Sequence, residues 1–234
     1  TAGRDAGSTA ALNARERLRE CRGQERFALI MIDPLNAGTS EIDNGIQEVF
    51  GKFFPLIGGA TAAHSKKRTT YQFCNDEVVT GSVVLLLFAG PIQFSCGIMG
   101  GLSPIAAKEV VTMARKNVLY RVGDSTAIDY FQRYIGQNYS FFMNYCLAVF
   151  EKERSDGFYV RSAPFHDVQA GTVTLNGIVP EGASIQLGTC DKNICIQSCA
   201  ESIRIARDRY PGTKPDCALF FSCAGRKMIM GTNV

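Results

Sequence analysis

Apolar and polar positions alternate along this chain with two periods, and the switch between them sets its organisation. Residues 11–22 have helical spacing. Phe27 to Ile32 is a short apolar run with the length of a strand, ending at Asp33-Pro34. After the loop at Asn36–Thr39, Ser40 with Asp43 three residues on predicts a capped helix. Its apolar face is Ile42, Ile46, Val49 and Phe50. Pro55-Leu-Ile57 reads as a further strand closed by a Gly58-Gly59 turn, completing a strand–helix–strand unit of the kind that builds parallel sheets.

From Thr70 to Gly101 the pattern is β-rich, with turns at Cys74–Glu77 and Gly90-Pro91. The continuous apolar run Val83–Ala89 predicts a strand covered on both faces. Residues 109–122 read as strands, Ser125–Tyr134 as a short helix ended by Gly136, and 138–150 as an aromatic, apolar segment. Phe158–Val160, Gly171–Leu175 and Ser184–Leu187 follow as strands, the last entered through the turn Val179–Gly182. Asp191 opens a helix whose face is Ile196, Cys199, Ala200, Ile203 and Ala206, stopping near Pro211-Gly212. Ala218–Phe221 reads as a buried strand, followed by a Ser-Cys-Ala-Gly-Arg turn and helix. The expected fold class is α/β, mixed sheets flanked by helices, in two lobes that meet around residues 101–120.

Composition changes this picture little. The 234 residues are 46% hydrophobic and 20% charged, as in globular domains. A net charge of +3 is too small to point to nucleic acid. The arginines at 15, 17, 19, 22 and 26 alternate with Glu16, Glu20 and Glu25, as on a solvated helix face. No apolar run approaches a membrane span, and no basic start followed by an apolar core opens the chain. Nine cysteines, an odd number at irregular spacing and often inside apolar segments, point to free thiols in a reducing cytoplasm.

The candidate chemistry is thinly spread. Gly58-Gly59 could offer backbone N–H groups to an anion or close a tight turn. His64 and His166 are the only histidines, and so the only imidazole ligands for a metal or haem. Cys190, Cys195 and Cys199, with Cys217 as a fourth, could hold zinc, but the chain has no CxxC pair. Cys223, three residues before Arg226, has the setting of an activated thiol, yet no histidine lies near it in sequence to serve as base.

The ordered motifs "FPLIGGATA", "TTYQF", "GSVVLLLFAGP", "NVLY…AIDYFQRYIG", "GFYVRS", "GTVTLNGIVPEGASIQLGT" and "ALFFSCAGR" resemble the FIST family of bacterial sensory domains, from about residue 27 to the end. The resemblance implies a FIST N-like region at 1–100, a FIST C-like region at 101–234, and truncation at both ends. It also implies departures from the family pattern. A first strand–helix unit and a closing segment with Gly-Phe-Tyr and Gly-Glu would be missing, and Ala62-Ala63-His64 stands where a Gly-Asp pair is usual.

The implied function is a cytoplasmic, non-catalytic sensor of an amino acid or related small metabolite, without a resident cofactor. Its lobes would close on the ligand and act on a histidine kinase, chemotaxis or cyclic-dinucleotide domain. The expected ligand-binding residues are Gly58, Gly59, Thr61, Arg161, Ser222, Cys223 and Arg226. One alternative is a haem-based nitric-oxide sensor using His166 or His64. Another is a cysteine-dependent enzyme.

Overall fold

The computed structural model describes residues 2–19, 23–34, 38–62, 69–137, 145–151 and 157–231. The chain is mixed α/β and divides into two compact units, Thr1–Phe94 with Lys214–Phe221, and Ser95–Thr213 with Ser222–Val234.

The first unit holds α1 (Ala2–Leu18), β1 (Glu25–Ile32), α2 (Thr39–Phe50), β2 (Leu56–Ala60), β3 (Gln72–Cys74), β4 (Glu77–Val79) and β5 (Val83–Ala89). Its sheet has the order β2-β1-β5. β1 and β2 run parallel, while β5 lies antiparallel on the other side of β1. Ile30 and Ile32 of β1, Ile42 and Ile46 of α2 and Ala11 of α1 form the core, with Leu56, Val83 and Leu85 against it. Phe27 stacks on Phe88 at a centroid distance of 4.4 Å.

α1 begins well before residue 11 and buries small residues, Gly3, Gly7 and Ala11, rather than a large apolar stripe. A Cβ on Gly7 would strike the Ile42 carbonyl, and one on Gly45 the Arg4 carbonyl, so α1 and α2 meet backbone to backbone. α2 is capped by Gly38, not Ser40, and Gly38 supplies no side-chain bond. Asp43 instead accepts from Gln47 at 3.2 Å, and burial raises its pKa above the usual carboxylate range. Gly58 and Gly59 lie inside β2 rather than closing it. Gly58 has φ +132, and a side chain there would collide with the Ile30 carbonyl oxygen across the parallel pair.

The second unit is built on antiparallel strands: β6 (Ser103–Pro104), β7 (Glu109–Arg115), β8 (Val118–Val122), β9 (Ser125–Thr126), β10 (Tyr145–Phe150), β11 (Tyr159–Ser162), β12 (Phe165–Asp167), β13 (Thr172–Thr174) and β14 (Ser184–Thr189). Their order is β11-β10-β14-β7-β8-β13-β12, with β6 on β14 and β9 on β8. Among the described residues it also holds α3 (Ala127–Ile135), α4 (Lys192–Asp208) and α5 (Ala224–Met230).

α3 is capped by Thr126 and stops at Gly136, and it lays Ala127, Ile128, Tyr130 and Phe131 into the core. There they join Val111, Leu119, Leu147, Val149, Val173, Ile185 and Leu187. Where the sheet opens beside Leu187, its carbonyl accepts from Ile105 N at 2.9 Å and Ala106 N at 3.2 Å. Its N–H donates to the Tyr130 hydroxyl at 3.0 Å. Tyr130 thus satisfies a buried strand donor that no strand reaches.

Ala218–Phe221 forms no strand. Among the described residues the segment has no strand partner, and Leu219 and Phe220 are 63% and 56% exposed. Four apolar residues in a row have no faces to tell apart, so the run carries no information on whether a neighbour exists.

Two consequences are measurable. Gly58→Ala places a side chain in a forbidden region and against a carbonyl, and should cost about 1–3 kcal/mol in chemical denaturation. Gly59→Ala, with nothing within 4 Å of the new Cβ, should change stability by no more than about 0.5 kcal/mol. The second concerns alkali. Burial pushes the Tyr130 phenol from 10.0 up to about 12, so its contribution is intact below pH 10 and is lost as pH rises towards 12. Tyr130→Phe should cost about 1–3 kcal/mol at pH 8, by stranding Leu187 N–H. Because the variant escapes the alkaline loss, the gap to the parent should narrow between pH 10 and 12.

Candidate functional site

The carboxyl ends of β1 and β2 lie side by side because the two strands are parallel and in register from Ala28–Leu56 to Ile32–Ala60. Open α/β sheets place ligands at this edge. Here it is polar and buried. Asp33, directly after β1, is 4% exposed, Thr70 2% and Gln72 1%.

The network is directional. Thr61, directly after β2, spends both of its donors on one acceptor. Its N–H and its hydroxyl reach the Ile32 carbonyl at 2.9 and 3.0 Å. With its proton committed, the Thr61 hydroxyl can only accept, and it does so from Gln72 Nε2 at 2.7 Å. The same nitrogen donates to Thr70 Oγ1 at 3.0 Å. Gln72 Nε2 thus faces both hydroxyls, and its carbonyl oxygen faces the other way. Among the described residues Gln72 Oε1 is buried and has no hydrogen-bond partner. Asp33 Oδ2 accepts from Gly81 N at 2.9 Å, and Asp33 N donates to the Ser82 carbonyl at 3.1 Å, which ties the entry to β5 to the same edge.

Of the residues expected from the sequence, Thr61 is part of this network. Gly58 and Gly59 are the strand that leads into it. Gln72, Thr70 and Asp33 were not among the expected residues. The signal was in "TTYQF", where the alternation is inverted: Thr70 and Gln72 point inward, while Tyr71 and Phe73 are 54% and 72% exposed.

The other expected residues belong to the second unit. The Arg161 guanidinium lies over the Tyr159 ring at 4.3 Å and donates to the Ile178 carbonyl at 3.2 Å, where Gly177 leaves room for it. Ser222 and Cys223 are exposed, and Cys223 is the N-cap of α5 without a side-chain cap bond. Arg226, in the first turn of α5, donates to Ser198 of α4 at 3.4 Å.

No group of three or more metal-ligating side chains occurs among the described residues. Cys190 and Cys195 are adjacent, with Sγ atoms 3.3 Å apart, but Cys199 does not complete a three-thiol group with them. Cys217 falls in the first unit.

His64 lies outside the described residues. His166 is half-buried on β12, paired with Val173, and its neighbours Phe165 and Asp167 are exposed. A pocket of about 260 Å³ beside the following turn is lined by Thr126, Asp129, Gln132, Gln169 and Gly171 among others, and not by His166. It is smaller than the roughly 300–1,000 Å³ of small-molecule sites and largely polar.

The FIST N domain model matches residues 1–125 of the chain, and the FIST C domain model matches residues 127–234. The likeness therefore extends in front of residue 27, over α1. No curated protein and no solved structure matches the chain. No helix among the described residues is long and apolar enough to cross a membrane.

Thr61→Val removes the acceptor that orients Gln72 and one donor to Ile32. It should cost about 1–3 kcal/mol in urea denaturation. Thr61→Ser, which keeps the hydroxyl, should restore most of that loss.

Proposed function

We propose that this chain, which belongs to the FIST family of sensory domains of signal-transduction proteins, binds a small amine, most simply the ammonium group of an amino acid, at the carboxyl edge of β1 and β2. One observation carries the reading. Gln72 Oε1 is a buried acceptor, held outward by two threonines and left without a donor. Leaving such a group unpaired costs about 1–3 kcal/mol, so a fold that keeps it is supported by whatever donor arrives. An ammonium brings up to three. The carboxyl group of Asp33 is buried at the same edge.

In this reading the site recognises and does not catalyse. Thr61 and Thr70 orient Gln72, and Gly58 brings the two strand ends close enough to share the network. Arg161 and Arg226 serve the packing of the second unit through the contacts described above. The sensor would work in the cytoplasm, in keeping with its cysteine usage, and pass binding to a signalling domain of the histidine kinase, chemotaxis or cyclic-dinucleotide type.

A thermal-shift series tests this on the full chain. An amino acid at a hundred times its Kd should add about 2.7 kcal/mol of stability, and the carboxylic acid lacking the amino group should add nothing. Gln72→Met lacks the acceptor; it should still melt cooperatively but lose the response. The reading is overturned if no amino acid stabilises the parent, or if Gln72→Met responds as the parent does.

A further inference from the structure

The second unit carries a pair of thiols that the small-amine site does not use. β14 passes into α4 through Cys190 and Asp191. Asp191 caps the helix, its Oδ1 accepting from Ile194 N at 2.8 Å. This fixes the first turn of α4 and brings Cys195 back against the strand end, so that Cys190 Sγ and Cys195 Sγ stand 3.3 Å apart. Cys190 is half-buried, whereas Cys195 is 2% exposed. We propose that Cys190 and Cys195 form a reversible dithiol–disulfide couple, giving the chain a redox input independent of its ligand site.

The co-reactant is a low-molecular-weight disulfide or a disulfide-bearing oxidoreductase. Cys190, the reachable thiol, loses its proton to solvent and attacks the disulfide. The S–S bond of the oxidant breaks and one thiol leaves. Cys195 then deprotonates and attacks the Cys190 sulfur of the mixed disulfide, releasing the second thiol. The protein loses two protons and two electrons, and the oxidant becomes two thiols.

Groups facing the pair set the rate. Burial first, then the hydrogen bond with Cys195 and the neighbouring thiols Cys195 and Cys146, push the Cys190 thiol up to about 12, while Arg226 opposes the rise. Cys146, on the adjacent β10, is pushed up to about 11, chiefly by burial. The Cys190 thiol is therefore neutral at physiological pH, and its attack accelerates as pH rises.

Oxidation would also be felt beyond the pair. Ser198 Oγ donates to the Cys195 carbonyl at 3.0 Å and accepts from Arg226 of α5 at 3.4 Å. A bond that draws Cys195 towards the strand acts on a backbone group two hydrogen bonds from α5.

The test equilibrates the full chain with mixtures of reduced and oxidised glutathione, blocks remaining thiols by alkylation, and maps peptides after cleavage at Lys192, which lies between the two cysteines. The expected result is a Cys190–Cys195 crosslink that grows with the oxidised fraction, reverses on reduction, and persists in Cys199→Ser. Both thiols remaining free in excess oxidised glutathione would overturn the proposal. So would Cys190 ending only as a glutathione adduct or bonded to Cys146 or Cys223.

Discussion

The close parallel pairing of β1 and β2 is the constraint from which the first unit follows. It depends on a missing side chain. Gly58 holds a backbone conformation that L side chains rarely adopt, in a place where any Cβ would meet the Ile30 carbonyl. Because the strands meet there, Thr61 arrives at the Ile32 carbonyl and bonds it twice. That double bond leaves the Thr61 oxygen able only to accept, which turns Gln72 so that its carbonyl oxygen is stranded. A steric fact about one glycine thus becomes an electrostatic fact about one glutamine, fourteen residues away in sequence.

The second unit solves its satisfaction problem differently. Its antiparallel sheet leaves Leu187 N–H without a strand partner, and a tyrosine from α3 fills the gap completely. The two cases separate structure from function. A buried donor that the fold itself pairs contributes to stability, and about 1–3 kcal/mol is lost when the partner is removed. A buried acceptor that the fold orients and then leaves open detracts from stability in the isolated chain, and is sensible only if something from outside completes it.

Much of the fold was legible in the sequence, and the failures have physical causes. α2, α3 and α4 were readable because amphipathic spacing, with stops at Gly136 and near Pro211-Gly212, acts locally. α1 was cut short because it buries glycine and alanine, which leave no apolar period to detect. Gly58-Gly59 suggested a turn because glycine tolerance of unusual φ is visible locally, whereas the approach of Ile30 from a distant strand is not. Ala218–Phe221 suggested a strand because apolar character predicts burial only where a partner exists. Cys190 and Cys195 were read only as part of a possible zinc set with Cys199 and Cys217, because the loop residue Cys190 falls beside Cys195 only through the capped turn at Asp191.

The candidate ligand site was the least legible part, and the reason is instructive. In a half-buried strand, apolar residues normally face in and polar ones out. In Thr70–Phe73 the order is reversed, with two large aromatic residues exposed and two polar residues almost fully buried. Transfer energies argue against that choice: exposing Tyr71 and Phe73 forgoes about 1.5–3 kcal/mol for each well-buried large side chain, while burying Gln72 leaves an acceptor unpaired. Both terms oppose folding, yet moving the register by one residue would exchange the two faces. Thr61 and Thr70 hold the costly register through Gln72 Nε2. A segment that spends stability in two ways to place one oxygen is better explained by what that oxygen binds than by what it contributes to the fold.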